Sequence, residues 1–339
     1  MEYRRLGNSE FEVSVLCLGT MMFGGPTNSR EISNILARAR DAGVNFLDTA
    51  DVYNQGEAER ELRPFLNECR VDWVLATKVG NQMGSASHMR GLSRRWIDEA
   101  LDGSLKRLGT DYIDVYYLHR EDPDTPLAET VDALGRHIAA GKIRSFGVSN
   151  FRAWRVAEIC GVCDAAGVPR PVASQPYYNA LNRMPEVEHL PACRHFGLGV
   201  VPYSPLARGV LTGKYRPDEE PSGETRAGRR DKRMLESEWR PESLLAAQQI
   251  TTHAESNGTT PIGFALNWVL NNELVTAVIA GPRTEAQWQA YIEARDYKFS
   301  YSDEAFMDRL VAPGHPSTPG FSDPRYPIEG RVSRARTGS

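Results

Sequence analysis

Asn45-Phe46-Leu47-Asp48-Thr49-Ala50-Asp51-Val52-Tyr53 is the stretch on which the reading of the chain turns. Residues 45–47 form a short apolar run of strand type, Asp48 stands where it stops, and Tyr53 follows in a loop. Two later apolar runs end in the same way. Val74-Leu75-Ala76-Thr77-Lys78 closes on a lysine, and Val115-Tyr116-Tyr117-Leu118-His119 closes on a histidine. In a barrel of parallel strands the C-terminal ends meet on one face, where reactive side chains gather.

Outward from this stretch, strands and helices alternate. Residues 3–7 and 13–17 predict an N-terminal β-hairpin or strand pair. From Val15 onward, strands are expected at 45–47, 73–77, 113–118, 143–148, 172–174, 199–202 and 274–280. Helices are expected at 29–42, 57–66, 93–108, 127–140, 153–166 and 187–196, then at 241–255, 261–270 and from 284. Residues 80–91 and 216–240 read as polar loops. Eight βα repeats favour a (β/α)8 TIM barrel over residues 1–310, with an N-terminal β-hairpin and a C-terminal extension at 311–339. An open doubly wound sheet is the alternative. The extension is rich in proline, glycine and arginine and reads as extended or partly disordered, or else as crossing the barrel mouth or packing on a neighbouring subunit.

Composition excludes several function classes. With 339 residues, a net charge of −4 and average apolar content, the chain suits a globular enzyme and no polyanionic partner, so nucleic acid is not expected. No apolar run reaches the ~18 residues of a membrane span, and the N-terminal residues lack the apolar core of a secretion signal. Five scattered cysteines point to a reducing, cytoplasmic compartment. Cys160-Gly161-Val162-Cys163 sits inside a helical pattern with no second pair at zinc spacing, so it reads as buried thiols.

Asp48, Tyr53, Lys78 and His119 can act as one catalytic set. A phenol is a weak acid at neutral pH, and a nearby ammonium lowers its pKa. Asp48 would hold Lys78, and His119 would bond the substrate oxygen or relay its proton. Such a set suits protonation of an oxygen that gains negative charge, as in hydride addition to a carbonyl. Ser149, Asn150 and Gln175 close two further strands and match the hydrogen-bonding needs of a carboxamide, and Tyr203 offers a face for stacking. The loop 204–214, with Ser204, Leu206, Arg208, Gly209, Leu211 and Lys214, could wrap a pyrophosphate, or be a surface turn. Gly281 and Arg283 precede a helix whose N-terminus could take a phosphate, which favours NADPH.

The glycine-rich segment 19–25 is not GxGxxG, so the Rossmann fingerprint is absent. It reads either as a flexible loop or as a ligand-facing one, with Gly19, Thr20 and Met21 on the cofactor side and Met22 and Phe23 on the substrate side. With Tyr53, His119, Arg120 and Tyr178, these last two make a substrate pocket that tolerates bulky apolar carbonyls.

These motifs together resemble the aldo-keto reductase family. The resemblance rests on Asn45–Ala50 with Tyr53, on Ala76-Thr77-Lys78, on Leu108 through Asp114, on Leu118-His119, on Gly147 through Phe151, and on Tyr203-Ser204-Pro205-Leu206. The segment from Leu206 to Gly213 is most similar to the bacterial and potassium-channel-β-subunit-like branch. The resemblance implies a (β/α)8 barrel, extended NADPH, no metal, and Tyr53 as acid/base supported by Asp48, Lys78 and His119. It implies that Ser149, Asn150 and Gln175 hold the carboxamide, that Tyr203 stacks on the ring, and that Arg283 and Gln287 meet the adenosine end. Relatives often carry Glu then Asn where Ala290 and Tyr291 stand here. The expected activity is NADPH-dependent reduction of an aldehyde or ketone, with a small-molecule carbonyl as partner. The rivals are a non-catalytic or slow NADPH-binding redox sensor and a metal-dependent hydrolase built on Asp48 and His119.

Overall fold

A computed structural model describes residues 1–223 and 225–327. The strands β1 (Tyr3–Arg5) and β2 (Glu12–Ser14) pair antiparallel as the expected hairpin. Their connection places Leu6 and Val13, both fully buried, against side chains of the barrel interior. Gly7 has φ +55°, and a Cβ there would lie 2.3 Å from the Val172 carbonyl, so glycine alone fits where the hairpin meets the barrel.

After β3 (Leu16–Gly19) the chain alternates: α1 (Ser29–Asp41), β4 (Phe46–Asp48), α2 (Glu57–Cys69), β5 (Val74–Val79), α3 (Arg94–Leu108), β6 (Ile113–Leu118), α4 (Leu127–Ala139) and β7 (Ile143–Ser149). It continues through α5 (Ala153–Ala166), β8 (Ala173–Gln175), α6 (His189–Phe196), β9 (Gly199–Val200), α7 (Lys232–Ser237), α8 (Pro241–Ser256), α9 (Pro261–Leu270), β10 (Val278–Ala280), α10 (Glu285–Ala294) and α11 (Tyr301–Leu310). The strands from β3 to β9 pair in parallel in chain order, and β10 joins β3. The ring closes without a full ladder: Thr276 N–H donates to Val200 O at 2.8 Å and Ile279 N–H to Pro202 O at 2.9 Å. The fold is the expected (β/α)8 barrel.

Inside the ring, Cys17, Phe46, Ala76, Val115, Tyr117, Ala173, Val201 and Ile279 pack together. Tyr117 fills space that β7 leaves open, since a Cβ on Gly147 would lie 2.5 Å from its ring. Outside, the helices bury leucine, isoleucine and aromatic faces against the sheet.

The structure departs from the sequence expectations in four places. Lys78 lies within β5, which runs on to Val79. The stretch 216–240 contains α7, whose N-cap Asp231 accepts from the Met234 N–H. The helix α11, closed by a capping box of Ser300 and Asp303, was not anticipated. Residues 311–327 carry no helix or strand, yet they are docked: Arg183 N–H donates to His315 O at 3.0 Å and Ser317 N–H to Leu181 O at 2.9 Å. The remainder of the expected extension, 328–339, lies outside the described residues.

One polar contact ties neighbouring strands. The buried Asp114 on β6 accepts from Leu75 N–H at 2.9 Å and from Arg70 Nη2 at 2.7 Å. Replacing Asp114 by Ala strands both donors and should cost about 3 kcal/mol, read as a lower urea midpoint with an unchanged m-value.

Candidate active site

The pleat explains how the barrel builds its rim. Side chains two residues apart on a strand face the same way. Each interior residue is therefore followed, one period later, by a residue that points inward at the C-terminal edge. Phe46 leads to Asp48, Ala76 to Lys78, Tyr117 to His119, Gly147 to Ser149, Ala173 to Gln175, Val201 to Tyr203, Cys17 to Gly19 and Ile279 to Gly281. Strand pairing sets β4, β5 and β6 side by side, so Asp48, Lys78 and His119 stand on three adjacent strands.

Lys78 is fully buried. Its Nζ donates to Asp48 Oδ1 at 2.5 Å, to Thr49 O at 2.6 Å and to the Tyr53 hydroxyl at 3.4 Å. Burial pulls the ammonium down, but Asp48 and Tyr53 outweigh it and hold its pKa above the usual lysine value. Tyr53 opens a 3-10 turn, Tyr53–Gly56, in which Asn54 and Gln55 take positive φ. Burial raises the Tyr53 pKa and Lys78 lowers it; burial wins, so the phenol is held protonated, contrary to the lowering expected from the sequence. The Tyr53 and His119 rings meet edge to face at 5.9 Å. Burial first, then the charges of Lys78, Arg325 and Arg120, hold the His119 imidazole well below its usual pKa, so it is neutral at neutral pH.

The carboxamide-type residues join this group. Gln175 Nε2 donates to Asp48 Oδ2 at 2.8 Å. Ser149 Oγ donates to Gln175 O at 3.1 Å, Asn150 Nδ2 to Ser149 Oγ at 3.0 Å and to His119 O at 2.9 Å, and Tyr203 Oη to Asn150 Oδ1 at 2.8 Å. A continuous hydrogen-bonded chain thus runs from Tyr203 to Tyr53. Both oxygens of Asp48 accept from nitrogen donors, Lys78 on one and Gln175 on the other. Thr20 N–H donates to Asp48 O at 2.9 Å, Gly19 packs against Ile279, and Met21 is exposed.

Non-glycine residues with positive φ collect at this rim: Asn150, Ser204, Ala207 and Arg208. Such strain persists where the surroundings enforce it. In the 204–214 loop Leu206 and Leu211 are buried, so only their backbone is offered outward. Arg208 donates to Ser237 Oγ at 3.2 Å and lies 3.9 Å from the buried carboxyl of Glu238. Desolvation and the charges of Arg226, Arg283 and Arg229 pull the Lys214 ammonium below its usual pKa, which marks a cationic cluster. Gln287 accepts from the Arg283 N–H at 2.8 Å, and Thr284 caps α10. The sequence reading missed Arg226, Arg229 and Glu238, which lie in the supposed polar loop 216–240, and Asp51, which lies in the opening stretch itself.

The proposed apolar substrate pocket needs correction. Phe23 is fully buried in the core. Tyr178 is buried against Trp268, and its hydroxyl is engaged with Glu186 at 2.9 Å and Asn272 at 3.2 Å. Neither presents a free face at the rim. Met22 and Arg120 remain accessible there.

The profile of the Aldo/keto reductase family matches residues 15–312. A probable voltage-gated potassium channel subunit beta of Arabidopsis thaliana is 36% identical over 301 residues, covering 87% of this chain and 92% of the relative. The uncharacterized oxidoreductase YrpG of Bacillus subtilis is 37% identical over 305 residues, covering 87% and 91%. An L-glyceraldehyde 3-phosphate reductase of Escherichia coli O157:H7 is 31% identical over 324 residues, covering 93% of each chain.

Asp51 generates a pH prediction. Its carboxyl is fully buried, its oxygens have no partner among the described residues, and burial, with Glu59 nearby, pushes its pKa up to about 8. A raised carboxyl pKa adds stability that is complete below the unfolded value of 3.8 and is lost as pH rises through about 8. Asp51→Asn should therefore flatten the stability decline between neutral pH and pH ~9, by about 1 kcal/mol or more, in denaturant titrations at each pH.

Proposed function

Since this chain belongs to the aldo/keto reductase family, we propose that it is an oxidoreductase that reduces aldehydes or ketones with NADPH, with Tyr53 as the proton donor. The observation that carries the reading is the Lys78 ammonium, fixed by Asp48 and Thr49 and directed at a phenol held protonated. The residues fit the cofactor. Tyr203 is half-buried beside the amide groups of Asn150 and Gln175, and Lys214, Arg283, Arg226 and Arg229 make a cationic cluster suited to the 2′-phosphate that distinguishes NADPH from NADH.

Bound there, the reduced nicotinamide supplies the hydride. The protein's own groups supply the rest. The neutral His119 imidazole and the Tyr53 hydroxyl orient the carbonyl oxygen. As the carbonyl carbon accepts the hydride, that oxygen gains negative charge and takes the Tyr53 proton. Lys78 stabilises the phenolate left behind, and Asp48 keeps Lys78 charged and in place. The reaction reverses by the same path, with the phenolate accepting the alcohol proton. Buried thiols take no part: burial pushes Cys160 to about 11 and Cys163 to about 12. Among the described residues no helix is long and apolar enough to cross a membrane, and a cytoplasmic enzyme is the proposed setting.

Two measurements test the reading. Tyr53→Phe should lower kcat by ~10²–10⁴-fold in NADPH oxidation with an aromatic aldehyde, while NADPH still binds by fluorescence titration. Arg283→Ala should weaken NADPH about tenfold or more and NADH little. NADPH binding without turnover of any carbonyl would instead favour the redox-sensor reading. Failure to bind either nucleotide would overturn both.

A further inference from the structure

The docked segment 321–327 forms a strap over the site edge of the barrel. Phe321 lies under the Arg240 guanidinium at 3.7 Å. Arg233 Nη1 donates to Asp323 Oδ1 at 2.7 Å, and a second bond between the same groups completes a bidentate fork. Arg325 Nη2 donates to Asn81 Oδ1 at 3.1 Å, and Arg152 Nη2 to Pro327 O at 3.3 Å. Asn81 follows β5, Arg152 follows β7, and Arg233 and Arg240 follow β9. One segment is thereby tied to the ends of three barrel strands, including the strand that carries Lys78.

Two cations at this edge lack counter-charges among the described residues. Arg233 is committed to Asp323, and Arg152 pairs with Glu121 at 2.6 Å. Arg120 and Arg325 are both exposed, and among the described residues neither forms an ion pair. Arg120 follows β6, and Arg325 is bonded to Asn81, which follows the adjoining β5. A Cβ on Gly80, next to Asn81, would lie 3.7 Å from His119 N and 3.8 Å from Arg120 Cγ. The charges of both arginines reach His119 and also Tyr326. With Phe23 and Tyr178 withdrawn into the core, the rim beside the imidazole is cationic rather than apolar. Guanidinium forks bind oxyanions in planar, bidentate fashion.

We propose that Arg325, delivered by the C-terminal strap, and Arg120, at the end of β6, form a clamp that selects carbonyl substrates bearing an oxyanion, either a carboxylate or a phosphate monoester. The proposal rests on the carbonyl-reductase reading and names its substrate class. The strap supplies one jaw and the barrel the other, so the selectivity depends on a segment whose named contacts include none of Asp48, Tyr53 and Lys78 and which reaches the proton-transfer group only through the charge of Arg325 on His119.

Matched substrate pairs test it: succinic semialdehyde against butanal, and glycolaldehyde phosphate against glycolaldehyde. The expected kcat/KM favours the charged member about tenfold or more, chiefly through KM. A preference in one pair alone supports the clamp and identifies its oxyanion. Arg325→Ala and Arg120→Ala should each lower the charged-to-neutral ratio about fivefold or more, and Arg325→Glu should lower it further. Salt should also reduce the ratio, since the jaws are exposed. Equal kcat/KM for both members, or a ratio indifferent to the Arg325 substitutions, would overturn the clamp. Calorimetric titration with succinate separates this result from failure of the reductase reading. Binding lost in the Arg120→Ala/Arg325→Ala double variant supports the clamp even if no aldehyde is reduced. No binding to the wild type, or binding that the double variant retains, overturns it.

Discussion

The site depends on one buried ammonium. Lys78 has three protons to place and no access to water, and it places them on Asp48, on the Thr49 carbonyl and on Tyr53. A buried charge is tolerated only when paired and fully hydrogen-bonded. The two short bonds fix the direction of the third, longer one, so the stability requirement of Lys78 and the orientation of Tyr53 are a single constraint. Asp48 is in turn held by Gln175, and through Ser149 and Asn150 the same network ends at Tyr203. Removing Gln175 would take from Asp48 one of its two nitrogen donors, so the network couples the cofactor-side residues to the buried pair.

One competition and one reinforcement set protonation at this rim. At Tyr53, burial and Lys78 oppose each other, and burial prevails. The phenol is therefore held protonated beside the ammonium. At His119, burial and the surrounding cations act in the same direction and keep the imidazole neutral. The imidazole thus adds no positive charge to the rim. A second contrast lies within four residues of the opening stretch. Asp48 meets Lys78 and Gln175, whereas Asp51 is enclosed without a partner, and only environment separates them.

Much of this architecture was legible in the sequence because the barrel imposes a period. Once apolar runs at Phe46, Ala76 and Tyr117 are read as inward-facing, the residues two positions later must face inward at the rim, and these are Asp48, Lys78 and His119. What failed was separating core from pocket. Phe23 and Tyr178 carry the chemistry of either, and only tertiary packing withdrew them. The helix α7 escaped because six residues with two buried positions carry too little periodicity, and Arg226, Arg229 and Glu238 went with that stretch. The capping pair Ser300 and Asp303 was a usable signal for α11, since a hydroxyl followed three residues later by an acid marks a helix start.

The division between strand ends and their covering segments has a consequence for how this molecule can change. Asp48 and Lys78 sit on strands, where backbone pairing on both sides holds them rigidly, and Tyr53, toward which Lys78 is directed, sits in the turn that follows β4. The strap is held by separate contacts: a stacked guanidinium at Arg240, a forked pair at Arg233 and single hydrogen bonds at Asn81 and Arg152. None of these contacts includes Asp48, Tyr53 or Lys78. The strap can therefore be altered in sequence without disturbing the buried ammonium, whereas Gln175 cannot, because its amide is one of the bonds on which Asp48 depends. The strap and the buried ammonium are mechanically separable, whereas Gln175 and the ammonium are not.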